Sequence, residues 1–244
     1  MDLTNKTVVI TGASKGLGKA IALRLSQSTP HLALLARHEE PLRQVGEAIA
    51  ETTGLMPLII PCDVSSESDV ARMAKLVGER YGRVDALVNN AGFGTYRASE
   101  RLSNEEMRRH FEVNFFGAYY CIKALLPLLR ESEAGYILNV GSLFSRVALA
   151  ENSVYAATKF ALAGFSEGLH GELKAAGVRV GLFMPGPMAT SFQNGREDGA
   201  ARPPVTLDVA RAAAAVEAMI RGRKRSAIKP AWMLTALRLK SALG

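Results

Sequence analysis

Thr7-Val8-Val9-Ile10-Thr11-Gly12-Ala13-Ser14-Lys15-Gly16-Leu17-Gly18-Lys19-Ala20-Ile21-Ala22 changes character twice in a short distance. The β-branched run 7–10, bounded by polar residues and then a glycine, reads as a buried strand. Glycines follow at 12, 16 and 18, and beyond them apolar residues recur at helical spacing to about Ser26. A strand, a glycine turn and a helix in this order suit a phosphate: glycines let the backbone approach it closely, and the helix amino end offers free N–H groups and a positive dipole. The spacing is T-G-x-x-x-G-x-G, with two more residues before the second glycine than in the common G-x-G-x-x-G. An ordinary βα turn is the bland alternative, and a glycine turn alone is weak evidence against it.

The same alternation continues. Strands are expected at 31–36, 56–62, 84–88, 136–140, 178–184 and 226–229. Helices are expected at 39–53, from Ser65 or Ser66 to 81, over 104–130 with interruptions near Asn114 and Pro127, at 153–174, and from a Thr206 cap to 220. Strands that alternate with helices give an α/β fold, a doubly wound parallel sheet of the Rossmann-like kind with helices on both faces. With no linker, repeat or low-complexity tract, residues 1–244 read as a single domain. Residues 187–205, rich in Gly, Pro, Asn and mixed charge, read as a mobile substrate loop.

In open sheets of this kind ligands meet the carboxyl ends of the strands. The second strand ends in Ala36-Arg37 without a carboxylate, where an Asp or Glu would accept from the ribose 2′-hydroxyl of NAD and an Arg would accommodate the 2′-phosphate of NADP. Arg37, with Lys15 adding charge nearby, therefore predicts NADP(H), a solvated loop charge being the alternative. Asp63 follows the third strand, placed to accept from an adenine amino group or to cap the next helix. Asn89-Asn90-Ala91-Gly92 ends the fourth. In the 153–174 helix, Tyr155 and Lys159 lie one turn apart on one face, with Cβ atoms roughly 5–6 Å from each other. An ammonium there favours phenolate and pulls a pKa of about 10 toward neutrality. Taken alone, Tyr-x-x-x-Lys is common, and two unrelated side chains is the simpler reading.

With these residues in view the chain resembles a short-chain dehydrogenase/reductase from residue 6 to about 190. Thr11-Gly12…Gly16-Leu17-Gly18, Asp63-Val64, Asn89-Asn90-Ala91-Gly92, Asn114, Ser142, Tyr155…Lys159 and Pro185-Gly186 carry the resemblance by their joint order and spacing. The resemblance implies an oxidoreductase that moves a hydride between a nicotinamide and a carbonyl or alcohol. Tyr155 would be the proton donor or acceptor, and Lys159 would lower its pKa and hold the nicotinamide ribose. Ser142 would hydrogen-bond the substrate oxygen, and Asn114 would organise a water-linked proton path through Lys159. The expected cofactor-binding set is Gly12, Ser14, Lys15, Gly16, Leu17, Gly18, Arg37, Asp63, Val64, Asn90, Ala91, Gly92, Tyr155, Lys159, Pro185, Gly186, Met188 and Thr190. Phe93, Tyr96, Leu143, Phe144, Val147, Met188 and Phe192 are placed to line the substrate pocket. Their apolar character favours an apolar or aromatic small molecule over a sugar or polyacid. A reductase of 3-oxoacyl groups on a carrier protein, and a non-catalytic NADP-binding scaffold, are the alternatives.

Seven of the 30 basic residues follow Glu217 and no acidic residue does; the 23 before it balance the 23 acidic ones, so the net charge of +7 belongs to the C-terminal end. Residues 226–244 read as a basic, apolar extension: a short strand, then a helix opened by Pro230. Peripheral contact of 221–244 with anionic membrane, a dimer contact, a pocket cover, or docking on its own domain are the readings of that tail. A neutral body without aromatic–basic interleaving argues against nucleic acid. No apolar run reaches the ~18 residues a membrane span needs, and no signal pattern opens the chain. Cys62 and Cys121 read as buried free thiols, and no His/Cys cluster has metal spacing. The expectations are a cytoplasmic protein, membrane-associated at most through its tail, without a metal, forming a homodimer or homotetramer.

Overall fold

The structure, a computed structural model, describes residues 1–28, 31–190, 192 and 207–235. Its described residues build a seven-stranded sheet from β1 (Thr7–Thr11), β2 (His31–Ala36), β3 (Leu58–Pro61), β4 (Ala86–Asn89), β5 (Tyr136–Val140), β6 (Arg179–Pro185) and β7 (Ser226–Lys229). Their order is β3-β2-β1-β4-β5-β6-β7, and every neighbouring pair is parallel. The helices are α1 (Gly16–Leu25), α2 (Glu39–Thr53), α3 (Glu67–Tyr81), α4 (Asn104–Phe111), α5 (Gly117–Arg130), α6 (Ser153–Leu173) and α7 (Val209–Gly222). The chain winds outward from β1 to β3, then returns to lay β4 on the other side of β1. The connections diverge there, and a crevice opens at the carboxyl ends of β1 and β4.

Side-chain parity explains why the strands are apolar runs and not alternating patterns. Val8, Ile10, Leu32, Leu34 and Leu138 pack with α1, α2 and α7, whereas Val9, Ala33, Leu35 and Ile137 pack with α3, α5 and α6. Successive residues therefore enter two different cores, both covered by helices. Asp85, fully buried at the start of β4, has its carboxylate satisfied by Thr7 N, the Ser132 hydroxyl and Arg83.

Several boundaries shift from the sequence reading. β3 is shorter than 56–62, because Leu55 and Met56 are exposed, although Cys62 N still donates to Ala36 O. β1 extends through Thr11, and β4 begins at Ala86 instead of 84. Ser66 caps α3 by accepting from Asp69 N. The 104–130 region breaks into α4 and α5 around a π-turn, Glu112–Phe116, centred on Asn114, but α5 runs unbroken through Pro127. Asp208 caps α7; Thr206 lies outside the described residues, as does most of the 187–205 loop.

The tail joins the domain. β7 pairs along β6, and Tyr136 donates to Lys224 O across the glycine at 181. Arg221 binds Glu217 and Ser28, and Arg223 donates to the carbonyls of Gly135 and Gly177. Arg221 and Arg223, two of the basic residues of the 221–244 stretch, are thus held by their own domain. After Pro230 a helical turn forms at 232–235, with Met233 buried and Trp232 exposed; residues 236–244 lie outside the described part. Among the described residues, no helix is long and apolar enough to cross a membrane, and no cluster of His, Cys, Asp or Glu could hold a metal ion.

Candidate active site

The glycine turn is held by the neighbouring strand. Asn90 Nδ2 donates to Thr11 O at 2.9 Å and Gly12 O at 3.1 Å, while Thr11 Oγ1 accepts from Asn90 N and Ala91 N, both at 2.9 Å. Gly12 has φ +65°, and a Cβ there would stand 2.9 Å from Ala91 Cα. A Cβ on Gly18 would collide with Gly12 O. Glycine is required at both positions by a close approach of backbone to backbone. Lys15 is the N-cap of α1 and makes no side-chain cap, and the first turn holds no acidic residue. The amino-terminal N–H groups therefore keep their capacity for an anion. Beyond β6, Thr190 Cβ lies 3.5 Å from where a Gly16 Cβ would be, so this segment borders the turn. Gly186 N donates to Lys229 O. The cradle of small residues and free N–H groups fits a dinucleotide.

The other expected cofactor residues divide by what they touch. Arg37 and Lys15 are exposed at the strand and turn ends, and their side chains make no hydrogen bond or ion pair among the described residues. Asp63 is already engaged: Oδ1 accepts from Ser65 N and Oγ, and Oδ2 accepts from Arg109. The Ser65 and Arg109 bonds outweigh partial burial and lower its pKa. Val64 is buried against Gly117, where a Cβ would stand 2.7 Å from Val64 Cγ2, so its role is packing. Asn90 shapes the turn with its side-chain amide.

Tyr155 and Lys159 are both buried, at 5% and 4% exposure, and Lys159 Nζ lies 5.8 Å from the centroid of the Tyr155 ring. The expected electrostatic effect is reversed. Burial pushes the Tyr155 phenol well above its ordinary value, Tyr96 adds to this, and the Ser142 hydroxyl opposes it. Burial also lowers the Lys159 ammonium to about 8. Lys159 Nζ donates to Val140 O at 3.0 Å, and it is not among the groups that lower Tyr155. Burial is the largest cause at both groups, and it favours the neutral form of each.

Ser142 ends β5 and caps the short turn Leu143–Ser145. Its oxygen accepts from Phe144 N at 3.2 Å, which leaves its O–H to donate. Asn114 sits where the π-turn turns it inward. Its Oδ1 accepts from Phe93 N at 2.9 Å, and its Nδ2 donates to Phe93 O at 2.9 Å and to Thr158 Oγ1 at 3.2 Å. This amide is spent on the backbone after β4 and on α6, not on Lys159. Asn114 and Lys159 nonetheless flank Gly92, where a Cβ would stand 3.0 Å from Asn114 Oδ1 and 3.6 Å from Lys159 Nζ.

Three of the expected pocket residues surround the phenol: the rings of Tyr96, Phe144 and Phe192 have centroids 6.1, 6.0 and 5.6 Å from that of Tyr155. Leu143 and Val147 are buried beside the Ser142 turn. Two others face elsewhere. Phe93 packs its ring on His110 at 4.4 Å, and Met188 packs on the core at the α1 side. Gly94, His110 and Thr158 also border the site, and none of them stands out in the sequence. The Gly92-Phe93-Gly94 spacing is the nearest to a signal for Gly94; His110, a lone histidine in a charged stretch, carries none.

The sequence pattern of the short chain dehydrogenases matches residues 6–201, and the chain belongs to this family. Human retinol dehydrogenase 8 is 35% identical over 195 residues, which is 77% of this chain but 60% of that protein, so the chain spans less than two thirds of that relative's length. An alcohol dehydrogenase from the archaeon Thermococcus sibiricus, solved with 5-hydroxy-NADP, is 30% identical. It superposes with a TM-score of 0.82 over 91% of this chain and 95% of that one. A short chain dehydrogenase/reductase from Burkholderia phymatum, solved with NAD, shares the fold with a TM-score of 0.89 at 24% identity, covering 98% of this chain and 94% of that one.

Proposed function

We propose that the protein is an NADP(H)-dependent oxidoreductase that interconverts an apolar or aromatic carbonyl compound and its alcohol. One observation carries this reading: a buried phenol kept protonated, with a serine hydroxyl and a lysine beside it and three aromatic rings around it. When bound, the nicotinamide supplies the hydride. Gly12, Gly16, Leu17 and Gly18 would receive the pyrophosphate, and Lys159, next to Gly92, would hold the nicotinamide ribose. Tyr155 O–H gives its proton to the carbonyl oxygen in reduction and takes it back in oxidation. The Ser142 O–H, whose oxygen also accepts from Phe144 N, donates to the same oxygen and stabilises charge that develops there. The aromatic wall excludes water and prefers an apolar substrate, and the similarity to a human retinol dehydrogenase points the same way.

Arg37 supports the phosphate-bearing cofactor, because its exposed guanidinium, without an ion pair among the described residues, stands just past β2, where the ribose edge of a dinucleotide would fall. Kinetics with NADPH and NADH over a panel of aromatic aldehydes, retinal and polar sugars test the reading. The expected result is turnover of the apolar carbonyls with a strong NADPH preference. Arg37→Ala should weaken NADPH by about 10- to 100-fold and leave NADH unchanged, as loss of a charge-assisted contact requires. A wild-type preference for NADH would overturn the Arg37 assignment.

A further inference from the structure

Three residues on one helical face hold three alternate residues of the segment that follows β4. The Glu106 carboxylate accepts from the Arg97 guanidinium. His110 Nε2 accepts from Thr95 N at 3.2 Å. Asn114 holds both backbone groups of Phe93. The holders 106, 110 and 114 are four apart, and the held residues 97, 95 and 93 are two apart and run the opposite way. Four helical residues rise about 6 Å and two extended residues about 6.6 Å, so the two spacings stay in step.

This match fixes the parity of the segment. If 93, 95 and 97 are held by the helix, 94 and 96 face the other way. Gly94 and Tyr96 are indeed buried, whereas 93, 95 and 97 are half-buried. A Cβ at Gly94 would stand 3.2 Å from both Tyr155 Cδ2 and Phe192 Cε1, and Tyr96 brings its ring to Tyr155. The middle holder is fully committed. His110 is 1% exposed. Its Nδ1 lies 2.7 Å from Glu106 O, a bond that takes the Nδ1 proton and leaves the Nε2 lone pair for Thr95.

We propose that His110 is a positioning residue that sets, through Thr95, which face of the 93–97 segment meets the substrate, and that Gly94 and Tyr96 thereby set the breadth of carbonyl compound admitted above Tyr155. This rests on the oxidoreductase reading above, so the test includes a readout that needs no substrate. Hydrogen exchange at the Thr95 amide should speed up by about fivefold or more in His110→Leu, which removes the acceptor. It should stay near the wild-type rate in His110→Gln, whose side-chain oxygen can reach the same donor. With benzaldehyde and saturating NADPH, His110→Leu should raise KM by roughly tenfold with NADPH affinity unchanged, and His110→Gln should recover most of the loss. Unaltered Thr95 exchange in His110→Leu, or His110→Gln behaving like His110→Leu, would overturn the proposal. If His110→Leu does not fold, Gly94→Ala leaves the helix intact. It should discriminate against broad ketones more than against benzaldehyde, and an unchanged ranking across the panel would overturn the proposal. Absence of turnover with every carbonyl would remove the oxidoreductase reading while Thr95 exchange still decides the role of His110.

Discussion

Lys159 shows how burial redirects a residue whose type and spacing were plain in the sequence. The Tyr155/Lys159 pair was legible, since both face one side of α6, but the direction of its pKa effect was not. Spacing gives the distance between two groups and says nothing of the water lost around them. Its folded-state pKa of about 8, against an ordinary value of 10.5, has a consequence for stability. Between those values the unfolded chain binds a proton that the folded one does not, so the lysine's contribution to stability rises with pH across this window and is at its least favourable below it. Lys159→Met cannot titrate. Its stability relative to wild type should therefore fall by about 3 kcal/mol as pH rises from 8 to 10.5, whatever constant offset the lost hydrogen bond adds. Urea denaturation of both proteins at several pH values measures this; a pH-independent difference would mean that Lys159 is not desolvated.

At the level of elements, the glycine turn and the π-turn differ in how much the sequence disclosed. The strand–glycine–helix order was readable because a β-branched run, three closely spaced glycines and a helical period follow one another within a short stretch. The packing that makes Gly18 obligatory comes from Gly12 O and from Asn90, on another strand, and no local pattern contains it. Gly18→Ala should destabilise the domain by about 1–3 kcal/mol through overpacking. It should also lose most NADPH binding, as read by thermal unfolding with and without cofactor; an undiminished NADPH-induced shift would show that the turn does not carry the pyrophosphate. The interruption near Asn114 was anticipated from an amide inside an apolar stretch, because a buried amide needs partners. Its π form and its hold on Phe93 were not, since both depend on the segment after β4. Pro127 leaves α5 unbroken, against the interruption expected there.

For the whole molecule, the alternation of patterns gave about six or seven strands, against the seven of the sheet, and their parallel arrangement, because a run buried on both faces is itself the mark of helices on both sides. It did not give strand order, which depends on where each crossover returns, nor the fate of the tail. There, Arg221 and Arg223 bind their own domain through carbonyls and a hydroxyl distant in sequence. The glycine turn and the proposed catalytic residues come together only because β1, β4 and β5 end, and α6 begins, at one crevice, which makes Tyr155 the point where the proposal is most exposed. Tyr155→Phe removes one oxygen and leaves the rings around it in place. NADPH affinity, measured by fluorescence titration, should stay near that of wild type, while turnover of an aromatic aldehyde should fall by about 10²- to 10⁴-fold, the range that a positioned proton donor supplies. A Tyr155→Phe variant that reduces the aldehyde at the wild-type rate would contradict the account.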